Sequence, residues 1–199
     1  MKPRFTAFLL GVLAATPVWA SESYKIDSNH TMPVFEVNHL GFSTQRGRFN
    51  KVEGKVVLDR AAGKASVAVS IPATAIDMGL PKWNAAMQEE GFFDTDRFPT
   101  ILFKAEHFNF EGDKPVSAMG ELTLLGQTHP VQLTIANFTC KPHPMFRRET
   151  CGADISATIK RSAWGMVKYV PMVSDEVRIL IPVEAIKEDP SASGQPPAI

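Results

Sequence analysis

The chain has 199 residues, 44% of them hydrophobic, with 21 lysines and arginines balanced by 21 aspartates and glutamates. That length suits one domain with a substantial core. A near-neutral, mixed-sign surface lacks the basic footprint of a nucleic-acid binder and the polybasic patch that anionic lipid attracts.

Lys2 and Arg4 precede an apolar run from Phe5 to Ala15, and TPVWA follows with Val18 and Ala20 at the small-residue positions. Residues 1–20 therefore read as a secretory signal peptide cut after Ala20; the apolar run is too short to span a bilayer. Cleavage removes two bases and no acid, leaving an exported chain slightly richer in acids. The expected location is the periplasm, with surface association as a variant of it.

Period-two alternation then dominates. Tyr24 to Asp27 is a short strand, and Val34 to Leu40 sets Phe35, Val37 and His39 on one face. Phe42 to Phe49, interrupted by Gly41 and Gly47, continues with a bend or bulge. Lys51 to Arg60 and Lys64 to Ile71 flank Ala61-Ala62-Gly63 as a hairpin, the second strand placing Val67, Val69 and Ile71 together. Pro81 to Glu90 is the one good helix, with Pro81 in the first turn, Trp83, Met87 and Glu90 at helical spacing, and Gly91 ending it. After it, Phe92, Phe93 and Phe98 occupy a loop. Loops usually run over the surface, so this one is either a plug for one end of a β core or a lid over an apolar cavity.

Strands resume with Ile101, Phe103 and Ala105 on one face, then Phe108 and Phe110 before a turn at Gly112-Asp113. Met119 to Leu125 turns at Gly126-Gln127-Thr128 into the row Val131, Leu133, Ile135; Ile155, Ala157 and Ile159 form the next row. The last strand, Glu176 to Ile186, carries Pro182, which belongs at an edge or bulge. Residues 21–187 thus form one domain, and 188–199, rich in Pro, Ser and Gly, a disordered tail. Eight or more antiparallel strands with one short helix mean an all-β barrel or sandwich. Glu36, Lys55, Gln132, Lys160 and Arg178 on the opposite faces make its outside polar, unlike an outer-membrane barrel.

Cys140 and Cys151, the only cysteines, flank what reads as a loop between strands and suit one structural disulfide in an oxidising compartment. The five histidines form no cluster at metal-ligand spacing, so no metal is expected. Neither a Gly-x-Ser-x-Gly elbow nor a phosphate-cradling glycine loop occurs. No catalytic residue or catalytic cofactor is assigned; Asp94, Asp96 and His39 are the candidates if the protein is an enzyme after all.

With those residues in view, the chain resembles the YceI-like family of exported, lipocalin-like proteins. The resemblance runs from Tyr24-Lys25-Ile26-Asp27 through Asn29-His30-Thr31, Phe35-Glu36-Val37 and Gly54-Lys55-Val56. It continues in Phe92-Phe93-Asp94-Thr95-Asp96-Arg97-Phe98-Pro99-Thr100, Gly120 to Gly126, and Lys160-Arg161-Ser162-Ala163-Trp164-Gly165-Met166. It implies an antiparallel eight-stranded barrel with one short helical lid, around an elongated apolar cavity holding a long isoprenoid lipid or polyprenyl quinone. On that fold the strand residues expected to line the cavity are Phe35, Val37, Val69, Ile71, Phe103, Leu122, Leu124, Leu133, Ile135 and Ile179. Met78, Trp83, Met87, Phe92, Phe93, Trp164, Met166 and Met172 join them from helix and loops, and His39 and Arg161 are candidates to meet a head group.

Burial yields about 0.8 kcal/mol per CH₂, so one isoprene unit carries on the order of 3–4 kcal/mol of gross driving force. A few units outweigh the cost of association without a polar anchor. The expected function is a carrier of such a lipid, with a polyprenyl quinone such as ubiquinone as the expected cargo. An enzyme acting on the lipid, or an envelope stress protein that uses the cysteine loop and tail as a contact surface, are the rivals. An apolar mouth would also permit transient membrane contact or a homodimer.

Overall fold

A computed structural model describes residues 21–189; the predicted signal peptide and residues 190–199, most of the predicted tail, lie outside it. The described residues form eleven strands: β1 (Glu22–Ile26), β2 (Val34–His39), β3 (Ser43–Phe49), β4 (Glu53–Asp59), β5 (Lys64–Pro72), β6 (Ile76–Asp77), β7 (Thr100–Glu111), β8 (Lys114–Leu124), β9 (Gln127–Pro142), β10 (Glu149–Lys160) and β11 (Glu176–Lys187). One helix, α1 (Pro81–Gln88), lies between β6 and β7. Every pairing is antiparallel, in the order β1-β4-β5-β7-β8-β9-β10-β11, and β11 returns to β1 to close an eight-stranded barrel. Strands β2, β3 and β6 extend the sheet beyond β11 as a flap.

The split of β11 makes that geometry possible. Along one edge it pairs with β10 throughout; along the other, Arg178 to Leu180 pair with β2 and Ala185 to Lys187 with β1. Pro182, which cannot donate to a ladder, falls in the gap between the two partners. Thr31 fills part of that gap, its buried hydroxyl accepting from the Glu184 N–H at 3.1 Å.

The alternating rows face inward as their period requires, since successive side chains on a strand point to opposite faces. Ile101, Ala105, Leu124, Val131, Leu133 and Ala157 are all buried. Local differences from the sequence expectation have physical causes. Gly47 makes no bulge: it pairs squarely with Phe35, and a Cβ there would collide with the Phe35 ring and the Met78 sulfur. The β8–β9 turn is the two-residue Leu125-Gly126, both with positive φ (50° and 70°), the primed geometry that matches strand twist. Helix α1 stops at Gln88 because Glu89 is already extended (ψ 166°), two residues before Gly91.

The cysteines also differ from expectation, lying within strands rather than beside a loop, directly opposite one another on β9 and β10. They form the disulfide Cys140–Cys151. Eleven residues of separation place its stabilisation in the range of about 2–4 kcal/mol for loop closure. Replacing both by serine should lower the unfolding free energy by that amount in a denaturant titration.

Candidate ligand cavity and its mouth

A cavity of about 680 Å³ runs inside the barrel, within the range of sites that bury most of a small-molecule ligand. Its lining runs along β10 from Cys151 and on to Arg161, just past the end of that strand. Ten residues of strand rise about 33 Å, which the tilt of barrel strands shortens to roughly 25 Å along the axis. The space is therefore a long, narrow tube.

The two ends differ in chemistry. At the Cys151 end Tyr24, 1% exposed, lies across the barrel with Leu58, Cys151 and Ala185. Its hydroxyl is 2.5 Å from Glu149 Oε1 and 2.7 Å from Glu22 Oε2, with Arg60 and Lys187 around the carboxylates. Burial and the two acidic acceptors push the Tyr24 phenol far above its usual range, so it stays a neutral donor and a closed floor.

At the other end, polar residues gather from three segments: His39 and Gln45 from the β2–β3 hairpin, Lys82 and Glu89 from α1 and its end, Arg161 and Lys168 from the connection between β10 and β11. The only exposed lining residues among those described are Lys82, Trp83, Glu89 and Tyr169, so the cavity reaches solvent here.

Helix α1 is the roof of this mouth. Eight residues are too few to be stable alone, and none of them is fully buried. Tethers at both ends hold it: Asn84 Oδ1 accepts the Met78 N–H at 2.7 Å, and the Phe93 N–H donates to the Met87 carbonyl at 3.0 Å. Phe93 then drops into an aromatic cluster, edge-on to Phe49 at 5.5 Å and tilted against Phe35 at 6.3 Å. Phe92 stays at the rim, 6.1 Å from Tyr169, with Lys168 Nζ 4.8 Å above its ring. Phe98 points elsewhere, against the Gly126 turn and under Arg97.

Sixteen of the eighteen expected lining residues border the cavity: Phe35, Val37, Val69, Ile71, Met78, Trp83, Met87, Phe92, Phe93, Phe103, Leu122, Leu124, Leu133, Ile135, Met166 and Ile179. Trp164 and Met172 do not. Trp164 is buried behind the wall, its indole donating to the Leu122 carbonyl at 3.1 Å and packing edge-on to His129. Met172 turns outward and is 56% exposed.

His39 and Arg161 both border the cavity, but they are not equivalent. Four of the five N–H donors of the buried Arg161 are taken: Nε by the Ser174 carbonyl (3.0 Å), Nη1 by Met166 (2.8 Å), and Nη2 by Lys168 and Val173 (3.0 Å each). Arg161 is thus the internal anchor of the mouth connection rather than a free head-group donor. Burial depresses its pKa, with the nearby Asp175 opposing that effect. Asp175 in turn is held below the usual carboxylate range by the Ser162 hydroxyl and N–H. The His39 ring has no side-chain hydrogen bond among the described residues and remains available.

Asp94 and Asp96, the two carboxylates expected to act with His39 in an enzyme, do not join it at the cavity. Asp94 is a turn residue with φ 43°, paired to Arg97 at 3.1 Å, and Asp96 is exposed; neither borders the cavity with His39.

Sequence reading missed Tyr24, Phe49 and Phe138 as lining residues. Period two in Tyr24-Lys25-Ile26 could have found the first, and the inner row of β3 the second. It also missed that Glu184, distant in sequence, joins the neighbours Asp27 and His30 so that possible metal-ligand atoms lie within 4.8 Å of one another. His30 Nδ1 lies 2.7 Å from Asp27 Oδ2, and this contact raises the His30 pKa above its ordinary 6.5. Its stabilising contribution is complete below pH 6.5 and is lost as pH rises through the raised folded-state midpoint. An NMR titration should show that midpoint above 6.5, returning toward it in Asp27→Asn.

A closed antiparallel barrel enclosing a long apolar tube under a helical roof defines a lipocalin-like barrel. The chain belongs to the YceI-like family: the YceI-like domain model matches residues 24–185. A UPF0312 protein of Vibrio cholerae serotype O1 is 32% identical over 135 residues, covering 66% of this chain and 71% of its own. One from Pseudomonas aeruginosa is 29% identical over 192 residues, covering 94% of this chain and all of its own. Among solved structures, Burkholderia cenocepacia BcnA superposes with a TM-score of 0.65 at 23% identity, over 80% of this chain and 98% of its own. A polyisoprenoid binding domain from Saccharophagus degradans, implicated in plant cell wall breakdown, superposes with a TM-score of 0.60 at 14% identity, over 84% and 99%.

Proposed function

We propose that the protein is a periplasmic carrier that sequesters one long-chain isoprenoid lipid, a polyprenyl quinone such as ubiquinone, in the barrel. The observation that carries this is the division of the cavity: a long apolar tube with a closed floor, and polar side chains collected at one open mouth. That matches a molecule with a long hydrocarbon tail and a compact polar head. The binding described for the Saccharophagus degradans domain supports the same ligand class. The signal-like residues 1–20 support the location.

In this reading the tail fills the tube and the head stops at the mouth beside His39 and Gln45. Binding requires no covalent step. The driving force grows with each isoprene unit that enters, by about 0.8 kcal/mol per buried CH₂.

Trp83 borders the mouth, so its fluorescence is expected to change on occupancy. A titration with ubiquinone should give saturable, one-to-one quenching, and a polyprenol of equal chain length should bind more weakly. His39→Ala should narrow the gap between them. Equal affinity for both in wild type and variant would reject the head-group assignment, and no binding of either would reject the carrier.

A further inference from the structure

Around the exposed lining residues Trp83 and Tyr169 the mouth carries further apolar side chains, Leu40, Phe42, Leu80 and Met172, that do not line the cavity. Phe42, in the β2–β3 turn, is 87% exposed, and its neighbour Leu40 is 48% exposed. Leu80, ahead of α1, is 58% exposed, and Trp83 42%; from the β10–β11 connection, Tyr169 is 53% exposed and Met172 56%. These segments meet. The Leu40 N–H donates to the Met172 carbonyl at 2.8 Å, His39 bridges to Val173, and Tyr169 packs on Phe92 just after α1. A soluble monomer rarely leaves so many large apolar side chains in one region.

We infer that this rim docks the protein onto a lipid bilayer, so that the cargo passes between membrane and cavity without crossing water. The inference rests on the carrier reading above and adds the surface by which it loads. The chemistry of the rim selects a bilayer over a protein partner. Phe42, Leu40 and Met172 are apolar groups able to enter the acyl region, whereas Trp83 and Tyr169 are the amphipathic aromatics that settle at head-group depth.

Charge completes the match. Arg46, next to Gln45 on β3, is already paired with Glu36. Lys82 and Lys168, which border the mouth, form no ion pair among the described residues. Neither ammonium has a carboxylate partner there, although Lys168 rests over the Phe92 and Tyr169 rings, and on long apolar stems both can reach lipid phosphates. Glu89 shares the rim and limits the net positive field. Docking should therefore depend mainly on apolar insertion and only weakly on salt.

The test is flotation of the mature protein with vesicles of phosphatidylethanolamine and phosphatidylglycerol that contain no isoprenoid, alongside ubiquinone uptake from ethanol solution. Wild type should float. The Leu40→Ser/Phe42→Ser variant should lose about tenfold or more in vesicle partitioning, yet take up ubiquinone from ethanol as wild type does. Phe42→Trp, which keeps the anchor and controls for folding, should float as wild type does. Wild type that takes up ubiquinone but never floats would overturn the docking surface and leave the carrier standing. Flotation without uptake would support docking and remove the carrier reading. A wild-type dimer by light scattering that Leu40→Ser/Phe42→Ser converts to monomer, with no flotation, would assign the rim to a second copy and overturn the proposal.

Discussion

Replacing Arg161 by methionine should destabilise the protein by about 3–5 kcal/mol, since a hydrogen bond to a charged group contributes about 1.5–3 kcal/mol and several are lost together. The side chain is 4% exposed and bonds four carbonyls of one connection, from Met166 to Ser174. Methionine fits the space but donates nothing, so those carbonyls would be left unpaired or the connection would open to water. Either costs free energy, because an unpaired buried acceptor loses its hydration with no return. The melting temperature should fall by roughly 10 °C. Arg161→Lys should retain part of the stability, since an ammonium has three donors and no planar fork. A loss below about 1 kcal/mol, the size typical of an ordinary surface substitution, would show that the guanidinium does not organise the mouth.

The second large effect is expected on binding. Val69 on β5 and Ile179 on β11 border the cavity from different parts of the wall. Replacing both by tryptophan should obstruct the tube and abolish stoichiometric uptake of a long isoprenoid, while far-ultraviolet circular dichroism keeps its β signature. Overpacking a filled core costs about 1–3 kcal/mol per site; in an open tube the new rings take existing space, and the stability change should be smaller. Unchanged uptake would mean that the ligand lies elsewhere.

Much of the barrel was legible because period two is an unambiguous signal where one face meets an apolar interior. Val67-Val69-Ile71 and Val131-Leu133-Ile135 declare their inner face in the sequence, and all six border the cavity. The family resemblance supplied what alternation cannot, namely that the interior is a ligand space rather than a filled core. Sequence failed where no period sets direction. Trp164 and Met172 lie in the connection between β10 and β11, where backbone geometry, not spacing, decides what points inward. Arg161 borders the cavity as expected, but its anchoring role was not legible, because main-chain carbonyl acceptors leave no mark in the side-chain pattern. The Gly47 site was misread as a bend because a glycine needed for close approach of Phe35 and Met78 looks the same in sequence as one needed for a turn.

These results separate two jobs at the mouth. Arg161 holds the β10–β11 connection from within, and Phe93 seats the end of α1 in the Phe35–Phe49 cluster, so the roof is fixed by buried contacts. The exposed side chains of the outer rim, from Phe42 to Met172, take no part in those buried contacts, so replacing them is expected to leave the fold intact.

The most direct test of the account is mass spectrometry of the organic extract of the mature protein, isolated from the cell envelope without detergent. The account predicts one isoprenoid quinone, close to one molecule per chain, lost in the Val69→Trp/Ile179→Trp variant. A protein that carries no isoprenoid and fails to take up added polyprenyl quinone would contradict it.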